Sequence, residues 1–290
     1  MKINRLAEYY HEGIPEKRGP HLVSLLSGKG GVGKSTIAFN LAATMAEADE
    51  KCLLIDTDWY FGNQHILANV TPRGTLLDVT GNRNDAEKAL TEVNNNLHLI
   101  ASPSCAVDPQ DFEAGSFAHF AADIRSLFHV YDFVILDTPS GLIDLIRLAA
   151  CTSDTNIIVV NPELTSIADS YGLFKYLAKC NKNIAVHLLI NRVTNSNDHE
   201  YIYQKLAVTA ERFLGILPYD GGYLLEDDAI VTSVAQQKPL IGLAPASPAM
   251  DGLLSLRNLL RGERANGAEY NRVNLTGNIN SQRILADIKE

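Results

Sequence analysis

From residue 20 onward, short apolar runs alternate with longer segments whose apolar positions recur at helical spacing. The runs Leu22–Leu26, Cys52–Ile55, Leu97–Ile100, Phe133–Leu136, Asn156–Val160, Ala185–Ile190 and Phe213–Leu217 read as strands. Several are nearly continuous in Val, Ile and Leu, as strands buried on both faces require. Helical spacing predicts helices over Ser35–Ala48, Phe117–Phe128, Ser140–Ala150, Ser166–Lys179 and Glu200–Arg212. Strand and helix in this rhythm imply right-handed crossovers and parallel pairing. The predicted class is α/β: a doubly wound, mostly parallel sheet with helices on both faces.

Neither an internal repeat nor a linker divides the chain, so residues 21–262 read as one domain. Residues 1–20 form an extension in which Ile3, Leu6, Tyr9 and Tyr10 suggest a helical turn or two, stopped by Gly13-Ile14-Pro15. Residues 263–290 are a polar, Asn-rich tail with too few aliphatics to bury much surface. Just before it, Met250, Leu253, Leu256 and Leu260, with Leu254 alongside, make an apolar stripe flanked by Arg257, Arg261 and Arg264. Such a stripe serves either a last core helix, its commoner use, or an amphipathic segment lying on a membrane surface. Ile284, Leu285 and Ile288 make a second, smaller apolar set.

Composition narrows the partners more than the fold. Of 290 residues, 46% are hydrophobic, which suits a large core. Against 25 Lys and Arg stand 34 Asp and Glu, a net charge of −9, which argues against DNA as a partner. The longest apolar runs are strand-sized, so none is expected to span a membrane, and residues 1–20 lack the apolar core of a secretory signal. Cys52, Cys105, Cys151 and Cys180 are scattered without a CxxC pair, which fits a reducing, cytoplasmic setting.

The sharpest chemistry is Ser27-Gly28-Lys29-Gly30-Gly31-Val32-Gly33-Lys34-Ser35-Thr36, between the first apolar run and the first helix. It satisfies the G-x-x-x-x-G-K-[ST] pattern. Glycines let the backbone wrap closely around a polyanion, and the loop N–H groups and helix start present partial positive charge to phosphates. Lys34 is placed to reach the β- and γ-phosphates, Ser35 to ligate Mg²⁺ through its hydroxyl, and Thr36 to touch the α-phosphate. A Gly-rich turn that merely caps a helix explains neither lysine. Two further strand ends carry acids: Phe133–Leu136 runs into Asp137, as a strand does whose aspartate orients the Mg²⁺ shell, and Leu53–Ile55 runs into Asp56-Thr57-Asp58. Alternation puts Asp56 and Asp58 on one side, at the edge of the sheet where a ligand lies.

Lys29 narrows the family. Gly28 through Ser35 resembles the deviant Walker A loop of the MinD/ParA group of P-loop NTPases (the SIMIBI class), in which the extra lysine reaches across an ATP-sandwiched dimer to the partner's nucleotide. By that resemblance Asp56-Thr57-Asp58 is switch I and Asp137-Thr138-Pro139-Ser140-Gly141 is switch II. Asp58 then positions the attacking water, Asp56 and Asp137 belong to the Mg²⁺ environment, and Gly141 offers a backbone N–H to the γ-phosphate. Catalytic weight falls on Lys29, Lys34 and Asp58.

Pro162–Tyr171 and Arg212–Asp220 are similar to segments of the FlhG/FleN (YlxH) flagellar-number regulators, as is Asn191-Arg192-Val193. The resemblance puts Asn191, Arg192 and the Pro218-Tyr219-Asp220 loop around the adenine, and covers about residues 20–250. Leu164 reads as an insertion, and Trp59-Tyr60-Phe61 stands where small residues are usual. The resemblance implies an ATP- and Mg²⁺-dependent homodimeric switch that hydrolyses ATP slowly. Its output is the placement or number of a cellular structure, flagella first. It also implies a protein partner in the flagellar or polar-placement machinery and a peripheral station at the inner membrane, reached through the C-terminal amphipathic segment. Ile3–Ala7 is a weak echo of the motif by which such proteins activate a GTPase partner. A partition or septum-site ATPase is the first alternative, and a metabolic P-loop enzyme of the same fold the second. An iron–sulfur version of the latter needs cysteines such as Cys105 and Cys151, but Cys151 reads as a buried structural residue.

Overall fold

The computed structural model describes residues 19–59, 61–79, 83–102 and 128–266. The expectations for Ile3–Tyr10, Tyr60, Cys105, the helix Phe117–Phe128 short of its last residue, and the tail beyond residue 266 lie outside the described residues.

Eight strands make one sheet: β1 (His21–Leu26), β2 (Cys52–Asp56), β3 (Thr91–Asn94), β4 (Leu97–Ile100), β5 (Phe133–Asp137), β6 (Thr155–Val160), β7 (Val186–Val193) and β8 (Tyr219–Leu225). Their spatial order is β3-β4-β2-β5-β1-β6-β7-β8. All neighbours pair parallel except β3 with β4, which form an antiparallel edge. The central strands are buried along their whole length, and alternation divides them between two faces. Val23 and Leu25 of β1 join Phe133 and Ile135 of β5 in one apolar cluster. Leu22, Val134 and Leu136 point to the opposite face.

Helices cover both faces, as expected: α1 (Lys34–Ala46), α2 (Gln64–Leu67), α3 (Arg83–Ala89), α4 (Ile143–Thr152), α5 (Leu164–Cys180), α6 (Ser196–Leu214), α7 (Asp228–Gln236), α8 (Leu240–Leu243) and α9 (Pro248–Asn266). α1 is buried nearly all round because the sheet lies on one side of it and α9 on another. Gly252 lets α9 approach β8 closely: a Cβ there would overlap the carbonyl oxygen of Tyr223.

One expectation is corrected, and one open alternative is decided. The run Phe213–Leu217 is not a strand, because α6 continues through Leu214 and ends on Gly215 in the left-handed conformation (φ 66°). The last strand begins only at Tyr219. The stripe Met250, Leu253, Leu256 and Leu260 is core, each residue at most 1% exposed and packed against α1 and the sheet, so it is not free to lie on a membrane. Among the described residues no helix is long and apolar enough to cross a membrane.

The far end of α9 is fixed by buried polar contacts at the amino edge of the sheet. Glu263 Oε1 lies 2.7 Å from Nε2 of His187, and its other oxygen accepts from the Thr155 hydroxyl. His21 Nε2 is 2.9 Å from the same hydroxyl. Arg264 pairs with Asp132 at 2.6 Å and lies over the Phe133 ring. Burial works to raise the Glu263 pKa, but hydrogen bonds from His187 and Thr155 and the charges of His187 and His21 outweigh it and hold the carboxyl below 4.5. A carboxylate with a lowered folded pKa stabilises the fold above its usual pKa, and that contribution fades as pH falls through the lowered value. Glu263→Gln is therefore expected to cost about 2 kcal/mol near pH 7. Urea midpoints of wild type and variant should converge as pH drops below 4.5, and a gap independent of pH would refute the ionic role.

Candidate nucleotide site

The loop after β1 turns into α1 through two left-handed glycines, Gly31 (φ 77°) and Gly33 (φ 95°), where a side chain would be strained. Gly30 and Gly31 face open space, and Gly28 lies against the backbone of Asp169 in α5. Gly33 is the N-cap of α1 and brings no side-chain acceptor, which leaves the helix start to a ligand. Lys34 follows as the first helical residue, with Ser35 and Thr36 behind it. Lys34 is 8% exposed, and its Nζ sits 3.5 Å from Asp137 Oδ1.

Parallel register sets the acids opposite one another: Asp56 at the end of β2 pairs with Asp137 at the end of β5. Both are buried. Their hydrogen bonding differs in a way that separates their roles. Asp56 is saturated by main-chain N–H groups, Oδ1 accepting from Asp58 at 3.0 Å and Oδ2 from Asn63 at 2.8 Å and Gln64 at 3.0 Å. Burial pushes the Asp56 carboxyl up to about 7, the neighbouring Asp137 adds to the rise, and the three N–H groups pull against it. Asp137 Oδ2 accepts from the Gln64 amide at 2.7 Å, whereas its Oδ1 is buried with no hydrogen-bond donor, facing Lys34. Two abutting carboxylates beside one ammonium leave negative charge that a divalent cation fits. Asp137 Oδ1, with Ser35 close by on α1, suits Mg²⁺; Asp56 organises the turn instead of offering a free oxygen.

Gln64 was not foreseen. Fully buried, it donates to Asp137 Oδ2 and to the Ser35 carbonyl at 3.0 Å, coupling the ends of β2 and β5 to the phosphate loop. A glutamine in a one-turn helix carries no sequence signal for such a role. Thr57 donates to the Asp137 carbonyl and Thr138 to the Leu25 carbonyl, so the strand ends are laced side to side. Asp58 lies at the margin, half-buried, its Oδ1 accepting from the Phe61 N–H at 3.1 Å. Gly141, past Pro139, takes φ 86°, and Ser140 reaches the loop through Ser27 at 3.2 Å.

Lys29 is turned to its own chain. Its Nζ binds Glu163 Oε2 at 2.7 Å and Thr165 Oγ1 at 3.0 Å, at the start of α5. The hydrogen bond and charge of Lys29 hold the Glu163 carboxyl below its usual range, with a smaller contribution from Arg192.

The adenine assignments divide. Asn191 is buried at the end of β7, and its amide donates to the Val32 carbonyl at 2.8 Å, so it belongs to the phosphate-loop neighbourhood. Arg192, exposed and left-handed (φ 59°), lies near Glu163. Pro218, Tyr219 and Asp220 are not brought there. Tyr219 pairs with His187, while Leu225 pairs with Val193 at the nucleotide edge. Six residues of strand, about 20 Å, separate the two ends. Tyr219 stacks on His187, and Asp220 binds His199 at 2.9 Å. Glu226 and Asp227 occupy the edge instead, and the apolar Leu224-Leu225 running into acids repeats the pattern of Ile55-Asp56. Cys151, expected to be buried, is exposed.

Residues 21–190, more than half of the chain, match the AAA domain family model. The antiactivator FleN of Pseudomonas aeruginosa is 25% identical over 228 residues, covering 79% of this chain and 81% of that protein. The flagellum site-determining protein YlxH of Helicobacter pylori is 23% identical over 253 residues, covering 87% of this chain and 85% of the other. The MinD cell division protein of Aquifex aeolicus superposes with a TM-score of 0.64 at 27% identity, over 84% of this chain and 97% of its own. With the phosphate loop, the paired strand-end acids and the second lysine in place, the chain belongs to the AAA-domain family as a P-loop ATPase of the MinD/ParA type.

Proposed function

We propose that the protein is an ATP- and Mg²⁺-dependent switch whose two subunits close face to face over ATP and part after its slow hydrolysis. The observation that carries this reading is the geometry of Lys29. Its side chain stands at the mouth of the phosphate loop, 39% exposed, and the Nζ bonds Glu163 and Thr165 instead of the acids at the strand ends. A lysine so placed serves a partner's phosphates when it lets go of Glu163. Bound Mg²⁺ neutralises charge on the transferred phosphoryl group. The chain's own part is to hold the β- and γ-phosphates with Lys34 and the loop N–H groups, and to align water from Asp58. Ser35 and Asp137 Oδ1 are the residues that would hold the metal. Glu226 and Asp227 replace Pro218–Asp220 as the β8 contribution near the base, alongside Asn191.

For the output, FleN and YlxH support placement or number control of flagella. A net charge of −9 counts against a DNA-coating partition role. A protein partner in that machinery and a peripheral membrane station belong to this proposal, and any membrane contact falls to segments outside α9's buried stripe. Deletion in the host should change flagellar number or position; minicells with normal flagella would favour a septum-site role instead.

At the molecular level, light scattering should show ATP and Mg²⁺ doubling the mass, and ADP leaving it single. Lys29→Ala should bind ATP within about threefold of wild type yet lose turnover about a hundredfold, as removal of one transition-state contact does. Equal losses in binding and turnover would refute a role for Lys29 in the partner's site.

A further inference from the structure

Three hydrogen bonds converge on Gln64, the first residue of α2 and 0% exposed. Its main-chain N–H donates to Asp56 Oδ2 at 3.0 Å, which pins the residue to the carboxyl end of β2. Its side-chain amide donates to Asp137 Oδ2 at 2.7 Å and to the Ser35 carbonyl at 3.0 Å. An ionised carboxylate and a carbonyl only accept, so the amide has to turn its nitrogen to them and not its oxygen. Both donors of the NH₂ group are thereby used. The Gln64 Oε1 is left buried with no donor among the described residues. An unpartnered oxygen costs about 1–3 kcal/mol, which an apolar side chain of the same size would not carry. Packing alone therefore does not account for glutamine at this position.

The two acceptors belong to the residues assigned above to Mg²⁺. With Oδ2 of Asp137 held by the amide, the direction of its other oxygen is set. That oxygen, Oδ1, is buried without a donor, 3.5 Å from the Lys34 ammonium. Ser35 is held through its carbonyl, which leaves its hydroxyl out of the bond. We propose that Gln64 is a positioning residue for Mg²⁺, its amide holding Asp137 and Ser35 in the arrangement that leaves Asp137 Oδ1 to the ion. The inference rests on the reading of Ser35 and Asp137 Oδ1 as the metal residues. Gln64 itself bonds neither ion nor nucleotide; it acts through the two residues that do. Loss of a group that orients a metal ligand in this way weakens metal affinity about ten- to a hundredfold.

The helix that carries the amide does not depend on it. Asn63 and Gln64 both give main-chain N–H groups to Asp56 Oδ2, and the Ile66 carbonyl accepts from the Gln237 side chain at 2.7 Å. Replacing the Gln64 side chain therefore removes the two donors and keeps α2 in place.

The test measures binding of a fluorescent ADP analogue to the full-length protein, first in EDTA and then along a Mg²⁺ titration. It compares wild type with Gln64→Met, Gln64→Leu and Asp137→Asn, and records urea midpoints beside the binding. Both Gln64 variants should bind the analogue in EDTA within about twofold of wild type. The Mg²⁺ concentration that gives half of the metal's effect on binding should rise about tenfold or more in each. ATP turnover should show the same shift in its Mg²⁺ dependence and recover as Mg²⁺ is raised. Asp137→Asn should lose the metal's effect altogether. If Asp137→Asn loses it while both Gln64 variants titrate like wild type, the positioning role is overturned and the metal reading stands. If Asp137→Asn responds to Mg²⁺ as wild type does, the metal reading fails and takes the positioning role with it. A lowered urea midpoint with an unshifted Mg²⁺ titration, or failure of both Gln64 variants to fold, would make the role purely structural and overturn the proposal.

Discussion

Asp58→Ala is expected to lower ATP turnover by about a hundred- to a thousandfold, or about 3–4 kcal/mol of barrier, while ATP binding stays near wild type. The argument rests on where the residue sits. Asp58 follows a strand end clamped from several sides: Asp56 is held by main-chain N–H groups, and Thr57 is bound to the Asp137 carbonyl by both its N–H and its hydroxyl. Its own side chain is half-buried and accepts from Phe61, so replacing it removes a carboxylate from the mouth of the site without opening the core. The ammonium of Lys34 and the loop N–H groups, to which the proposed function gives the phosphates, are untouched. With hydrolysis slowed and binding kept, the ATP-bound dimer should accumulate, and light scattering should find it persisting for many wild-type turnover times. Unchanged turnover would remove Asp58 from the chemistry. A folded variant that stays monomeric with saturating ATP and Mg²⁺ would remove the dimer.

The contrast between Asp56 and Asp137 shows what sequence makes legible and what it leaves hidden. Both are acids at the end of an apolar strand, and adjacency to a phosphate loop marks both for the site. Their different work comes from the backbone that follows. The turn after β2 folds back so that Asn63 and Gln64 present their N–H groups to Asp56, and the Gln64 side chain reaches across to Asp137. Nothing local to residue 64 announces that reach, because it depends on the β2–β5 register. The seven strands read from apolar runs include six of those observed, since burial on both faces leaves a clear mark. β8 was misplaced because its residues Tyr219-Asp220-Gly221-Gly222-Tyr223 are only partly buried, and an apolar helix end nearby imitated a strand. That misplacement carried the adenine assignment with it to the wrong edge of the sheet. β3 escaped for a related reason: Thr91–Asn94 is short and lies at the sheet edge, so it carries little hydrophobic signal.

Leu253→Ala in α9 should destabilise the protein by about 3 kcal/mol, and Leu253→Asp should prevent stable folding altogether. The periodicity of Met250, Leu253, Leu256 and Leu260 is the same whether a helix faces a core or a lipid surface, so the pattern alone leaves both open. The neighbours decide. Leu253 is 1% exposed and clusters with the buried apolar residues of α1 and the sheet, and α9 packs on β8 closely enough to demand glycine at 252. Truncation to alanine removes three carbons from a site that cannot collapse, because β-strand and helix backbones line it. An aspartate there buries a charge with no cation provided for it. A helix that used this stripe to bind membrane would show the opposite signs: solution stability nearly unchanged by either substitution, and vesicle binding lost. Urea denaturation with flotation on anionic vesicles separates the two, and a destabilisation under about 0.5 kcal/mol for Leu253→Ala would return the stripe to the membrane.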